Sequence, residues 1–286
     1  MGRLILNADD FGLTAGVNRA ILELHRAGVL TSASLMARAA ATDEAIELAR
    51  CTPSLGVGCH VVLVDGKPVL DTQNLPTLAD PRTSRFYPTL GVFLKRLFIG
   101  HIRTSEIEAE TAAQIALLQS RGLRLTHIDT HKHAHIFLAV LRPVLRAARA
   151  AGIRAVRNPF EPAWSRRTTR GAPWLRRAQL GLLQLLEPAF RRIVAEEGFT
   201  TTDGGLGVLA TGTLDATTVS SLLRSLPVGT WELVTHPGYN DTDLAQVRTR
   251  LKASRDIERQ AMLTITPQDG VEFISFAQLA SEEAQR

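Results

Sequence analysis

Short apolar runs alternate along this chain with stretches of helical periodicity, and most of the runs end in a polar cluster. That alternation limits the fold more than any single motif does. A repeated strand–helix pattern places parallel strands inside and helices outside. Residues 3–8 read as the first strand. Thr14 can cap a helix whose Val17, Ala20, Ile21 and Leu24 share one face, with Gly28 at its end. Residues 31–36 are a second strand, followed by a short helix from a Thr42 cap to Arg50. Residues 55–63 are a third strand. A capping box from Ser105 to Glu108 opens a helix that turns Ile107, Thr111, Ile115 and Leu118 inward. Strands at 124–130, 153–157, 206–210, 230–235 and 271–275 follow. The helices between them are marked by Phe137 to Ala148 and by residues 174–197, 215–224 and 244–263. The prediction is an α/β fold, an irregular (β/α) barrel of seven or eight parallel strands, with a doubly wound open sheet as the alternative. One domain spans residues 1–286. Lid-like excursions fall at 64–103 and 160–198, too long for plain loops.

Composition narrows the setting. With 45% hydrophobic and 21% charged residues the chain reads as globular. No run reaches the roughly 18 apolar residues of a membrane span. The chain enters a strand at once, without a signal-peptide core, so a cytoplasmic location is expected. Cys51 and Cys59 lack metal-type spacing and are expected to stay unbridged. The net charge of +5 is concentrated. Residues 82–103 hold Arg82, Arg85, Lys95, Arg96 and Arg103 with no acid. Residues 164–192 hold Arg166, Arg167, Arg170, Arg176, Arg177, Arg191 and Arg192 against Glu187. Excess arginine on a solvated surface is the plain reading of either segment alone. Interleaved Phe86, Tyr87, Phe93, Phe98, Trp164, Trp174 and Phe190 favour a surface that meets an anionic partner. Peripheral contact with an anionic membrane, at its inner face, is the expectation. Nucleic acid is not an expected partner.

The chemistry lies where the strands end. Asn7-Ala8-Asp9-Asp10-Phe11-Gly12 puts two carboxylates directly after the apolar run Leu4 to Leu6. Buried carboxylates are costly unless something there requires negative charge, and a metal ion is the commonest reason. Gly58-Cys59-His60 and the stretch Thr126 to His135 supply imidazoles. One carboxylate with histidines from separate strand ends makes a three-ligand divalent site with room for water. In parallel α/β folds the carboxyl ends of the strands share one face, so these clusters, Arg157 and His236 converge. Along the fourth strand His127, Asp129, His131, His133 and His135 are two apart. His127 and Asp129 are expected to lie deepest and orient ligands, His131 to lie at the rim, and His133 and His135 in the loop near substrate. Asp-Phe-Gly does not indicate a kinase, because neither a Gly-rich loop nor a His-Arg-Asp motif accompanies it. No Gly-x-Ser-x-Gly suggests a serine nucleophile.

Asn-Ala-Asp-Asp-Phe-Gly at 7–12, Gly-x-His at 58–60, Asp-x-His-x-His-x-His at 129–135 and His-Pro-Gly at 236–238 together resemble the YdjC-like carbohydrate deacetylases, which include chitooligosaccharide deacetylases. The likeness is close over 3–157 and resumes around 230–240. Gly28 to Met36 and His60 to Val69 are most similar to the hopanoid-biosynthesis-associated branch. Cys59 departs from the Leu or Met that relatives often carry. The resemblance implies one divalent ion on Asp10, His60 and His131, with zinc the first choice from the imidazole donors, and magnesium or another first-row ion as alternatives. It implies Asp9 as general base, His236 as general acid, and Arg157 and His133 as substrate contacts. The alternative for Arg157 is a salt bridge at the barrel rim. The implied reaction is hydrolysis of an N-acetyl group on an N-acetylglucosamine-type sugar. That sugar is either the head group of a hopanoid glycolipid or part of a soluble chitooligosaccharide. A homo-oligomer, in the first instance a dimer, is implied as well. Two other classes stay open: a two-histidine-one-carboxylate iron oxygenase, against which the adjacent Asp9 argues, and a non-catalytic lipid- or metal-binding module.

Overall fold

The computed structural model describes all residues except 170, 267–269 and 284–286. Arg170, one of the arginines of the second basic segment, therefore lies outside the described residues. Among the described residues nine strands are present: β1 Gly2–Phe11, β2 Ser32–Leu35, β3 Gly56–Val61, β4 Ala79–Asp80, β5 Arg85–Phe86, β6 Ile128–Thr130, β7 Gly204–Leu206, β8 Gly229–Thr235 and β9 Val271–Phe273. Six of them form a parallel path in the order β6-β3-β2-β1-β8-β7, and β9 pairs with the first residues of β1. Isolated parallel bridges, Ile128 to Val156 and Ala155 to Thr200, carry the ladder beyond β6. The sheet curls into a half-barrel with helices outside it, as the strand–helix alternation predicts.

β1 is the central strand, and all of it except Arg3 is buried. Its alternation separates two packing environments. Leu4, Leu6 and Ala8 join the large core under the helices, whereas Ile5 packs with Ala155, Ile274, Phe276 and Leu279. Asn7 and Asp9 share the parity of Ile5. Strict alternation would send Asp10 to the opposite side. The pairing of β1 with β2 shifts register between Ala8 and Phe11, and Asp10 adopts φ +65°. The irregularity turns the Asp10 side chain back toward the site, so β1 continues to Phe11 instead of ending at the aspartates.

Several boundaries differ from the sequence expectation. Thr14 caps the helix Ala15–Arg26 by accepting from Val17 N. Thr42 is not a cap. It is the first residue of the helix Thr42–Arg50, and its hydroxyl bridges Ala39 N and Met36 O. The Ser105–Glu108 box does not form, because Arg103 precedes the helix Thr104–Ser120 and no side chain caps it. The strand expected at 153–157 is reduced to the two bridges. The one expected at 206–210 lies earlier, at Gly204–Leu206, and Gly207 with φ +82° ends it. The helix expected at 244–263 is two helices, Thr242–Gln246 and Ala253–Leu263.

The 64–103 excursion holds the β4–β5 hairpin and a helix, Leu90–Phe98. Its backbone is tied down by two carboxylates from the helix Thr104–Ser120. Glu110 accepts from Val69 N and Leu70 N at 2.8 and 3.0 Å, and Glu106 from Thr77 N and Leu78 N at 2.9 Å each. Buried N–H groups outside regular structure need such acceptors. The 160–198 excursion is helical, with Ala163–Thr168, Trp174–Leu183 and Glu187–Glu196.

Candidate metal centre and active site

Three strand ends bring Asp10, His60 and His131 together. Asp10 Oδ1 lies 3.3 Å from His131 Nδ1 and 3.6 Å from His60 Nε2, and the two ring nitrogens are 3.3 Å apart. His60 Nδ1 lies 2.9 Å from Asp129 Oδ2. With the proton on Nδ1 given to Asp129, Nε2 turns a lone pair toward the cluster, an arrangement that orients metal-bound histidines. Asp10 Oδ1 is buried and has no hydrogen-bond partner. Three lone-pair atoms facing one another repel unless a cation lies among them. Ligand distances of about 2.0–2.2 Å around a tetrahedral zinc set the ligand atoms roughly 3.3–3.6 Å apart. The residues therefore fit a divalent ion. Without one, burial opposes charge on His60, but Asp129, Asp9 and Asp10 raise its pKa to about 9.

Asp9 sits beside this group with a different set of partners. Arg157 grips it with two hydrogen bonds, Nη2 to Oδ1 at 2.6 Å and Nη1 to Oδ2 at 2.9 Å, and Asn7 Nδ2 donates to Oδ1 at 3.2 Å. Burial works against its charge, yet Arg157, with His60 and His236, holds the carboxyl below its ordinary pKa. Arg157 has no exposed surface, and it also pairs with Asp129 and with Glu232 at 2.8 Å. The expected substrate contact by Arg157 is therefore corrected. The guanidinium lies beneath the site, enclosed by three carboxylates, and what it touches is the base candidate.

His236, at the end of β8, closes the other side. Its Nε2 is 3.7 Å from Asp9 Oδ2, and its Nδ1 is 3.8 Å from Glu258 Oε2, which also accepts from His236 N at 2.7 Å. Burial depresses an imidazolium, but Glu258, Asp9 and Asp10 raise the His236 pKa above its ordinary value.

The run after β6 does not stay extended. Residues His131–Ile136 form a tight turn in which Lys132 and His133 take φ +58° and +51°. The turn leaves His133 half-buried, with Nδ1 unpartnered, and burial pushes its pKa down to about 3. His135 does not stay in an open loop. It is fully buried, bonded to Thr130 Oγ1 at 2.7 Å and to the Arg157 carbonyl at 3.3 Å. His127 lies deepest, bonded to Ser34 and stacked on Phe276 at 4.0 Å. Gly58 makes room for it, since a Cβ there would overlap the His127 ring. Cys59, of opposite parity to His60, lies in the core.

Sequence reasoning missed Glu232, Arg255 and Glu258. The last two were legible in principle. They occupy the inward stripe of Ala253–Leu263 with Ala261 and Met262, where charge is unusual.

Fold and site together define a class: an α/β half-barrel with an aspartate and two histidines at the carboxyl edge of its sheet, fitted to a divalent ion, and a second aspartate and histidine alongside. The chain belongs to the YdjC-like protein family, whose profile matches residues 3–269. The carbohydrate deacetylase of Thermoanaerobacter pseudethanolicus is 27% identical over 277 residues, 96% of this chain and 94% of that protein. The carbohydrate deacetylase of Homo sapiens is 31% identical over 250 residues, 83% of this chain and 75% of that one. That of Brevibacillus brevis is 43% identical over 146 residues, so the likeness spans about half of either chain, 51% of this one and 55% of the other. A crystal structure from Enterococcus faecalis V583, proposed to be a cellobiose-phosphate cleavage protein, superposes with a TM-score of 0.74 at 25% identity. It covers 97% of this chain and 98% of its own.

Proposed function

We propose that this protein is a metal-dependent carbohydrate deacetylase that hydrolyses the N-acetyl group of an N-acetylglucosamine-type sugar. The observation that carries the reading is the division of labour between neighbours: Asp10 joins the two imidazoles, while Asp9 lies apart, paired with Arg157 and 3.7 Å from His236. The deacetylase names of the relatives support the same reaction.

A divalent ion on Asp10, His60 and His131, zinc by its donor set, would polarise the acetamide carbonyl and acidify a water. Asp9, kept anionic by Arg157, accepts the proton of the attacking water. His236, kept protonated with the help of Glu258, donates to the departing amine, a poor leaving group until it is protonated. Half-buried His133, neutral at pH 7, offers a polar edge to the sugar. An oxygenase has no use for the second carboxylate beside the ligand set.

A lipid-borne sugar, such as the head group of a hopanoid glycolipid, is the finer reading. Most of the aromatic residues of the basic segments point inward: Phe86, Tyr87, Phe93 and Phe190 are buried, and Trp164 packs on Trp231. Phe98 and Trp174 remain outward, 66% and 77% exposed, with exposed Ile99 and Leu175 beside them in sequence. Phe98 also packs on Phe137, which follows the His131–Ile136 turn, so one apolar patch borders the site. No helix among the described residues is long and apolar enough to cross a membrane. Peripheral contact from the cytoplasmic side suits this surface. Soluble chitooligosaccharides are the second reading, and the carbohydrate deacetylase names of the relatives are compatible with it. Acetate release from an N-acetylglucosaminyl hopanoid and from diacetylchitobiose, measured side by side, separates the two. Faster turnover of the soluble sugar would end the lipid reading.

A further inference from the structure

The helix Ala253–Leu263 enters the site from outside the strand ends. Its Arg255 is 1% exposed, and Nη2 donates to Asp10 Oδ2. The Nε and Nη1 groups of Arg255 are buried without a protein partner. Asp10 is therefore the one carboxylate compensating this charge among the described residues. The dependence runs both ways. Asp10 stands at φ +65°, a backbone conformation unusual for a residue other than glycine, and Oδ2 is held while Oδ1 faces His131 and His60. The arginine stem is itself seated. Gly238 donates its N–H to the Arg255 carbonyl at 3.2 Å, and a Cβ on Gly238 would press on Arg255 Cδ at 3.1 Å. The glycine of His236-Pro237-Gly238 thus leaves room for the arginine.

We propose that Arg255 is a positioning residue that makes Asp10 a one-oxygen metal ligand. With Oδ2 engaged, the carboxylate cannot swing to offer both oxygens or turn to pair with either imidazole. Removing the guanidinium would leave a buried carboxylate oxygen without a partner, and the group would turn toward His131. Repulsion between a guanidinium and the ion acts the other way. Its strength is limited because the Arg255 charge is already spent on the oxygen that does not face the imidazoles.

The inference rests on the metal-centre reading, and the test needs no substrate. Zinc binding to purified protein is followed by calorimetry, and the visible absorption of the cobalt(II) form reports coordination. Arg255→Met is expected to bind zinc at least tenfold more weakly and to change the cobalt spectrum. Arg255→Lys should fall between Arg255→Met and the parent protein. If Arg255→Met binds as tightly as the parent, or more tightly, with the same spectrum, the inference is overturned. If Arg255→Met does not fold, as judged by circular dichroism, Arg255→Lys decides: parental affinity and spectrum would overturn the inference. A parent protein that binds no divalent ion would instead overturn the metal-centre reading itself.

Discussion

Arg157 is surrounded by Asp9, Asp129 and Glu232, three carboxylates for one guanidinium. Three carboxylates outnumber the one guanidinium, so protonating one of them reduces the excess negative charge. Burial pushes Glu232 up to about 8, with Asp9 and Asp129 adding to the shift against Arg157. A carboxyl with a folded pKa above its ordinary 4.5 holds its proton longer in the folded state. Stability then falls as pH rises through the window from roughly 5 to 8. Urea unfolding of Glu232→Gln at several pH values should show that fall flattened, and an unchanged slope would contradict the assignment. His236 bears the opposite charge. Its raised pKa means a general acid that is lost only when pH passes above the ordinary histidine range. Glu258→Gln should move the alkaline limb of kcat/KM down by roughly one pH unit, since an adjacent carboxylate typically shifts a pKa by that order. A limb that stays in place would remove His236 or its partner from the acid role. At this scale the sequence showed the histidines and aspartates, because such residues at strand ends are conspicuous. Arg255 and Glu258 share the buried face of Ala253–Leu263 with Ala261 and Met262, but helical periodicity does not say that a buried carboxylate or histidine waits opposite.

Elements decide where these side chains point. The register shift between Ala8 and Phe11 brings Asp9 and Asp10 to one site, although alternation alone would part them. Reading β1 as ending at the aspartates reached the same convergence by the wrong route. A bulge is set by pairing with β2 and by the Arg255 contact, neither of which is visible in a single strand. The strands that form long ladders, β1 and β8, were legible as apolar runs. The run at 153–157 also read as a strand, but its pairing is limited to two isolated bridges, which an apolar run alone does not reveal. Gly58 is the converse case, a residue whose neighbour explains it. Gly58→Ala should cost roughly 1–3 kcal/mol by overpacking against His127. It should also loosen zinc binding, since His60 is two residues along β3. Thermal melts and zinc titration of that variant check both effects.

For the whole molecule, the excursions supply what the half-barrel lacks, a surface beyond the chemistry. Glu106 and Glu110 fasten one excursion to the helix behind it, and Phe98 reaches the residue that follows the site turn. The basic segments were legible as charge. Which of their aromatics face outward was not, because segment composition does not assign faces. Replacing Phe98 and Trp174 by Ser should reduce sedimentation with anionic vesicles several-fold and leave hydrolysis of a soluble sugar intact. Equal sedimentation would remove the lipid-facing role.

The central claim is that Asp9 moves the proton while Asp10 belongs to the metal centre. Acetate release from an N-acetylated glucosamine substrate by zinc-loaded Asp9→Asn, with bound zinc quantified in the same sample, tests it most directly. Zinc should be retained and the rate should fall by about 10²–10⁴-fold. Parental acetate release with full zinc would contradict it.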